Sequence, residues 1–349
     1  MTERTMKAAV FKDIEQVVLE DVPVPSITDD ELLVKINVAL TCGTDAKTFK
    51  RGPGKKTPYM QAIHIFGHEY AGVVEEAGSN VRQFQAGDRV VSANSAPCGT
   101  CFYCKHSQFS LCDNLTWLWG TFAEYIKVPA PIVQKNTYKI PDGVPDKTIA
   151  LLEPLACVLH GVERTGIKIG DTVVINGAGP IGLLYVVLAK MKGARIISTD
   201  LSEERLGIAQ ELGADVTILV TEGVDIVEAV KGFTEENRGA DIAIEAVGAP
   251  AIWETTIKMA RKGGVVNLFG GCPSGTSISV DTSLIHYNEV EIKGVFHHTP
   301  LHVKGAFDLL VSGKFPADKF VTHEMSLDRV NEALSMITTQ QGIKIALIP

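Results

Sequence analysis

The chain reads as an α/β protein in two parts, a β-rich barrel-like unit and a doubly wound parallel sheet. Three observations predict this. Short β-rich runs separated by turn residues fill the first third, strand and helix alternate after Pro141, and a Gly-Ala-Gly-Pro-Ile-Gly turn joins one of those strands to the next helix. With 349 residues, the chain has room for two domains of roughly 150 residues each.

The β-rich part is carried by MKAAVF (6–11), VVLEDVP (17–23), LLVKINVAL (32–40), AGVVEEAG (71–78) and GDRVVSA (87–93). Pro23, Pro25 and several glycines punctuate these runs. A helix begins near Pro154 and continues to Gly166. TVVIN (172–176), RIIST (195–199), DIAIE (241–245) and GVVNLF (264–269) are apolar enough to be strands buried on both faces. Helices are expected over Pro180–Lys192 and Glu203–Leu212. From Gly294 onward, a strand (GVF), a helix (HVKGAFDLLVSG) and a last strand (KIALIP) close the chain.

Lys and Arg number 33 against 41 Asp and Glu, a formal charge of −8. An acidic chain without a basic stripe is a poor partner for nucleic acid or an anionic membrane surface. The most apolar stretch, Val173–Ala189, is interrupted by Asn176, Gly177, Gly179 and Gly182 and is shorter than the ~20 residues of a membrane span. Met1–Val10 lacks the apolar core of a secretory signal. The expectation is therefore a soluble, cytoplasmic protein.

Gly177-Ala178-Gly179-Pro180-Ile181-Gly182 follows a strand and opens a helix, the context in which a G-x-G-x-x-G turn takes a dinucleotide. The first glycine permits the tight turn, the second lets a pyrophosphate approach the backbone, and the third lets the helix pack close. The helix N-terminus then faces the phosphates. Asp200 ends the next strand. A carboxylate there accepts from a ribose diol and repels a 2′-phosphate, which favours NAD over NADP. Arg205 is placed to stack on adenine or touch the ribose edge.

Seven cysteines is an odd number, and four of them, Cys98, Cys101, Cys104 and Cys112, fall within fifteen residues. Such spacing points to metal rather than to disulfides. Four thiolates make a closed tetrahedral zinc site, and a closed site is structural. An iron–sulfur run of the ferredoxin kind would have a three-residue last gap and a following proline. Here the gap is seven residues and Asp113 follows. Elsewhere, Cys42-Gly43-Thr44-Asp45, Gly67-His68-Glu69 and Glu153 offer sulfur, nitrogen and oxygen donors of the kind an open zinc site uses. Glu153 reads equally well as an ordinary acid in the first turn of a helix.

These motifs occur together, and in this order the chain resembles the zinc-containing medium-chain dehydrogenases over nearly its whole length. Within that family it is more similar to the polyol (sorbitol or iditol) and L-threonine dehydrogenases than to alcohol dehydrogenases. Glu153 stands where the latter place a third cysteine, and Cys157, one helical turn on, is read as a buried thiol. The resemblance implies a GroES-like catalytic domain (1–153 and 294–349, with a zinc lobe at 95–113) and a Rossmann domain (154–293) inserted in it.

It also implies that Cys42, His68, Glu69 and Glu153 bind or approach a catalytic zinc, with one of the two glutamates direct and the other through water. Asp45 would orient His68, and Thr44 would pass the alcohol proton outward. Lys47 stands where alcohol dehydrogenases carry a relay histidine, so the proton leaves through Lys47 or through ribose and water. Leu268, Phe269, Gly270, Val295 and Phe296 match backbone positions that line the cofactor, as does Ile181. The implied reaction is zinc-assisted hydride transfer from a secondary alcohol to NAD, in a dimer or tetramer.

The substrate is less legible. KTFKRGPGKK (47–56) carries five cations that would welcome a phosphorylated polyol but read more simply as a solvated loop. Trp117 and Trp119 form a pocket wall or cover the zinc lobe. His297 or His298, near the end of a late strand, is placed to meet a substrate hydroxyl. L-Threonine 3-dehydrogenase is the second reading. The third, a catalytically idle NAD-binding protein on the same fold, is disfavoured by the retention of all four metal-site residues.

Overall fold

The computed structural model describes residues 4–52 and 65–349. It divides into two compact units, residues 1–156 with 298–349, and residues 157–297.

The first unit opens with β1 (Thr5–Asp13), β2 (Gln16–Pro23), β3 (Leu32–Leu40), α1 (Gly43–Arg51), β4 (Glu69–Ala77), β5 (Arg89–Ser92) and β6 (Ser95–Ala96). It continues with α2 (Phe102–Lys105), β7 (Thr116–Trp117), β8 (Tyr125–Val128), α3 (Ala130–Asn136), β9 (Thr137–Lys139) and α4 (Asp146–Ile149), and α5 (Leu152–Thr165) begins in the first unit and ends in the second. The second unit holds β10 (Thr172–Asn176), α6 (Pro180–Met191), β11 (Arg195–Asp200), α7 (Glu203–Glu211), β12 (Val216–Leu219) and α8 (Ile226–Gly232). Then come β13 (Ala240–Glu245), α9 (Pro250–Met259), β14 (Ala260–Leu268), α10 (Thr282–His286) and β15 (Glu291–Gly294). The chain returns to the first unit with α11 (Pro300–Val311), β16 (Val321–Ser326), α12 (Val330–Thr338) and β17 (Lys344–Ile348).

In the first unit the main sheet runs β16-β17-β3-β4-β5-β9, and β8 also pairs with β3. The register decides where the chemistry falls. Leu40 at the end of β3 lies opposite Glu69 at the start of β4. On its other side β3 pairs with β17, Ala346 opposite Leu40. Residues from three distant parts of the chain therefore meet at one end of the sheet. Beneath them Leu32, Val34, Tyr70, Phe122, Ile132 and Leu347 form a dry core.

The second unit is a parallel sheet ordered β12-β11-β10-β13-β14-β15. Its central strands are largely buried on both faces, as their mostly apolar sequences require. Helix α6 is apolar nearly all round, and Leu183–Ala189 are all buried. Pro180 starts it at a position that has no hydrogen bond to lose. Gly177 has a φ of 106°, and a Cβ on Gly182 would sit 1.8 Å from the Gly177 carbonyl oxygen. Turn and helix thus meet too closely for any side chain.

Two expectations are corrected. The strand placed over Gly294–Phe296 is Glu291–Gly294. It ends where it was expected to begin, because Val265–Leu268 of β14 pair with residues 291–294. The run EIKG alternates charged and small or apolar residues, which suits an edge strand, while the more apolar VF lies beyond it. Lys47–Arg51 is the end of helix α1 rather than loop, and Lys50 pairs with Glu15. Residues 53–64, including Lys55 and Lys56, lie outside the described residues.

Replacing Gly182 with Ala is expected to destabilise the second unit by about 1–3 kcal/mol, since backbone atoms must shift to admit the methyl group. Thermal or denaturant unfolding checks this.

Candidate active site and metal centres

Three donor atoms from β3–α1 and β4 come together in the first unit. Cys42, His68 and Glu69 each offer a ligand atom, and these atoms lie within 4.8 Å of one another. Cys42 is the N-cap of α1, and its N–H donates to Asp45 Oδ2 at 3.1 Å. The other Asp45 oxygen faces His68 Nδ1 at 3.4 Å, which leaves Nε2 for an ion. Trp119 packs edge-to-face with His68, ring centroids 4.7 Å apart, and its own ring stacks with Trp117.

Glu69 is fully buried. Lys344 Nζ, also buried, donates to both its carboxylate oxygens, at 2.7 Å to Oε1, and to the Thr41 carbonyl at 3.0 Å. Burial opposes charge on Lys344, but Glu69, Cys42 and Glu153 outweigh it and raise its pKa. Burial pushes Glu69 up to about 7 against the pull of Lys344 and His68, and nearby Glu153 pushes it further. Burial likewise opposes protonation of His68, and Asp45 and Cys42 outweigh it. Four acidic groups, Cys42, Asp45, Glu69 and Glu153, face two basic ones here. A divalent cation is what such a donor set lacks, and one sulfur, one nitrogen and one oxygen around an open position suit zinc.

Glu153, at the start of α5, is outside that trio. Its oxygen and a nitrogen of His298 lie within 4.8 Å of one another in a second buried group. His298 is also held by Asn94, Nε2 to Oδ1 at 3.0 Å. Thr44 sits half-buried in the first turn of α1, its carbonyl accepting from the Thr48 hydroxyl. Lys47 is exposed on the same helix.

The other four cysteines also converge. Cys98 and Cys104 sulfurs are 4.0 Å apart, and Cys101 and Cys112 sulfurs 3.8 Å. Zinc–sulfur bonds of about 2.3 Å in a tetrahedron put the sulfurs about 3.8 Å apart, whereas a disulfide needs about 2.05 Å. Backbone N–H groups of Cys98, Gly99 and Asn114 point at these sulfurs. Hydrogen bonds from Thr100, then from Cys101 N–H, push the Cys98 thiol down to about 5.

In the second unit, the Ala178 N–H donates to Asp200 Oδ2 at 2.7 Å, and Ser202 N–H to Oδ1 at 3.0 Å. Asp200 thus braces the glycine turn. A Cβ on Gly179 would lie 3.9 Å from an Arg205 guanidinium nitrogen, and Arg205 Nε is buried with no hydrogen-bond partner. A dinucleotide fits these residues, because its oxygens can supply the partner that the arginine lacks. Leu268 ends β14, and the N–H groups of Phe269 and Gly270 donate to the Glu245 carbonyl. Val295 is buried and Phe296 half exposed after β15. Cys157 is buried.

Lys344, Asn94 and Glu245 belong to no motif in the sequence. A charged residue inside an apolar strand (KIALI, DIAIE) was the available signal for two of them.

Residues 28–142 match the alcohol dehydrogenase GroES-like domain, and residues 180–312 match the zinc-binding dehydrogenase family. Sorbitol dehydrogenase of Bacillus subtilis is 35% identical over 338 residues, 95% of this chain and 93% of that one. L-Threonine 3-dehydrogenase of Pseudoalteromonas translucida is 31% identical over 336 residues, 94% and 95% of the two chains. A zinc-binding dehydrogenase from Sinorhizobium meliloti, crystallised with NADP, superposes with a TM-score of 0.90 at 33% identity over 99% of this chain and all of that one. The chain belongs to the zinc-binding alcohol dehydrogenase family. It is an oxidoreductase that uses a nicotinamide cofactor and acts on a small-molecule alcohol. No helix among the described residues is long and apolar enough to cross a membrane.

Substituting Lys344 by Met strands a buried carboxylate, and a cost of about 3–5 kcal/mol is expected in chelator-treated protein. The cost is expected to shrink when zinc is restored, because the ion gives Glu69 another cation. Denaturant unfolding with and without zinc measures both.

Proposed function

We propose that the chain oxidises a secondary hydroxyl of a polyol with NAD, using a zinc ion held by Cys42, His68 and Glu69. The observation that carries this reading is the sulfur–nitrogen–oxygen cluster, its Cys42 half-buried and its His68 and Glu69 buried, with its excess of acidic groups. When bound, zinc acidifies a hydroxyl that it holds, and the nicotinamide accepts the hydride.

The chain's own residues do the positioning. Asp45 fixes the ring of His68 through Nδ1. Lys344 holds Glu69 in the buried layer behind the site. Trp119 covers His68 and keeps water from that side. Glu153 stands by as the second carboxylate, and Thr44 is the outlet for the alcohol proton. The Cys98–Cys112 tetrad holds a second, structural zinc.

Polyols are favoured over L-threonine by the groups around the trio. An amino-acid substrate needs a cation for its carboxylate, and the buried lysine here is already engaged by Glu69. His298 and Asn94, hydrogen-bonded to each other, instead suit neutral hydroxyls. NAD is favoured over NADP by the charge of Asp200 beside the glycine turn, although one relative was crystallised with NADP. The reading places the enzyme in the cytoplasm, where thiols remain reduced and available to zinc, as a dimer or tetramer by family resemblance.

The test is NADH formation by zinc-replete and chelator-treated protein against sorbitol, xylitol, iditol, galactitol, inositols, butanediol, polyol phosphates and L-threonine. Polyol turnover that falls at least about a hundredfold on chelation is expected. Turnover of threonine alone would replace the substrate. NAD binding without turnover of any alcohol would favour the idle reading. Asp200→Ala is expected to narrow the kcat/KM preference for NAD over NADP by about tenfold or more.

A further inference from the structure

One carboxylate at the C-terminal edge of the parallel sheet takes no part in the chemistry above. Glu245 ends β13 and is fully buried. Its Oε1 accepts from the N–H of Val247 at 2.9 Å and of Gly248 at 2.7 Å. Its Oε2 accepts from Gly270 N–H at 3.1 Å, and its main-chain oxygen from Phe269 and Gly270. One residue therefore ties the loop after β13 to the loop after β14. Trp253 of α9 holds the second loop from another side, Nε1 donating to the Gly270 carbonyl at 2.9 Å.

The loops leave no slack. A Cβ on Gly270 would lie 2.3 Å from Gly248 N, and one on Gly248 2.6 Å from the Gly271 oxygen. The first loop also reaches the glycine turn, because a Cβ on Gly177 would meet Val247 at 2.7 Å. Burial raises the Glu245 pKa and the N–H donors from Gly248, Val247 and Gly270 pull it back. No ion pair reaches it among the described residues. Burying an acid without a cation costs stability that an apolar residue would not, so the return lies in what its acceptors hold in place.

The sheet order shows what that is. The chain builds β10, β11 and β12 to one side, then reverses and builds β13, β14 and β15 to the other. Dinucleotides lie outside the carboxyl ends of the strands at such a reversal, one nucleotide to each half. Asp200 ends β11 in the first half, the adenosine side. The loops after β13 and β14 belong to the second half, the nicotinamide side.

We propose that Glu245 is a positioning residue for the nicotinamide half of the cofactor, acting through the main chain of Val247, Gly248 and Gly270 rather than by contact. This rests on the dinucleotide reading given above.

The test uses the full-length, zinc-loaded protein and compares the Kd of NAD with that of AMP, which occupies only the adenosine half. Glu245→Gln keeps the shape but replaces one acceptor oxygen with a donor that faces an N–H. NAD is expected to bind about ten- to a hundredfold more weakly, with AMP unchanged within about twofold. Trp253→Phe, which leaves the carboxylate intact, is expected to move NAD affinity the same way by a smaller factor. Equal weakening of AMP and NAD would show a general loosening and overturn the proposal, as would unchanged NAD affinity in both variants. A wild-type protein that binds neither probe would overturn the dinucleotide reading itself, and this inference with it.

Discussion

The ion pair between Glu69 and Lys344 ties the molecule's chemistry to its architecture. Lys344 opens the last strand, 275 residues after Glu69, and reaches it only because β17 returns to pair with β3. The same contact fixes Thr41, whose carbonyl accepts from Lys344 and whose hydroxyl accepts from Ile345 N–H. Cys42 follows immediately. The last strand thus sets the position of the first donor as well as of the third. A buried pair of this kind adds little to stability relative to an apolar pair. Its role is to oppose the burial that pushes the Glu69 carboxyl towards its protonated form.

A similar device appears in the second unit. Asp200 and Glu245 both end parallel strands, and both accept hydrogen bonds from loop N–H groups. The loops at the carboxyl edge of the sheet are thus held by side chains from the strands beneath them. Rigid strands set the position of the turns that follow them, so that a bound dinucleotide meets a surface already arranged. The tetrad lobe follows the same logic on a small scale, with backbone N–H groups directed at the sulfurs that would surround an ion.

Much of this was legible in the sequence because its signals are local. Four cysteines in fifteen residues and a glycine turn between strand and helix carry their geometry in their spacing. Cys42, His68 and Glu69 were legible only as a set matched to a family, since their meeting depends on strand register. Lys344 and Glu245 stand out in the sequence only as charges in apolar strands, and their partners are not legible. Each is one charged residue in an apolar strand, and its partner lies far along the chain or is a backbone N–H, neither of which leaves a pattern in sequence. Gly294–Phe296 misled for the opposite reason. Its apolar residues suited a strand, but the paired edge strand is the more polar EIKG. The cations after Lys47 looked like loop because charge, not helical periodicity, dominates that segment.

The ion proposed at the Cys42 cluster is distinct from the one proposed at the cysteine tetrad. Anomalous diffraction at the zinc edge, on crystals of the zinc-loaded protein, tests it most directly. Two peaks are expected in each chain, one enclosed by Cys98, Cys101, Cys104 and Cys112, the other within bonding distance of Cys42 and His68. A single peak at the tetrad, with none beside Cys42 at full zinc loading, would contradict it.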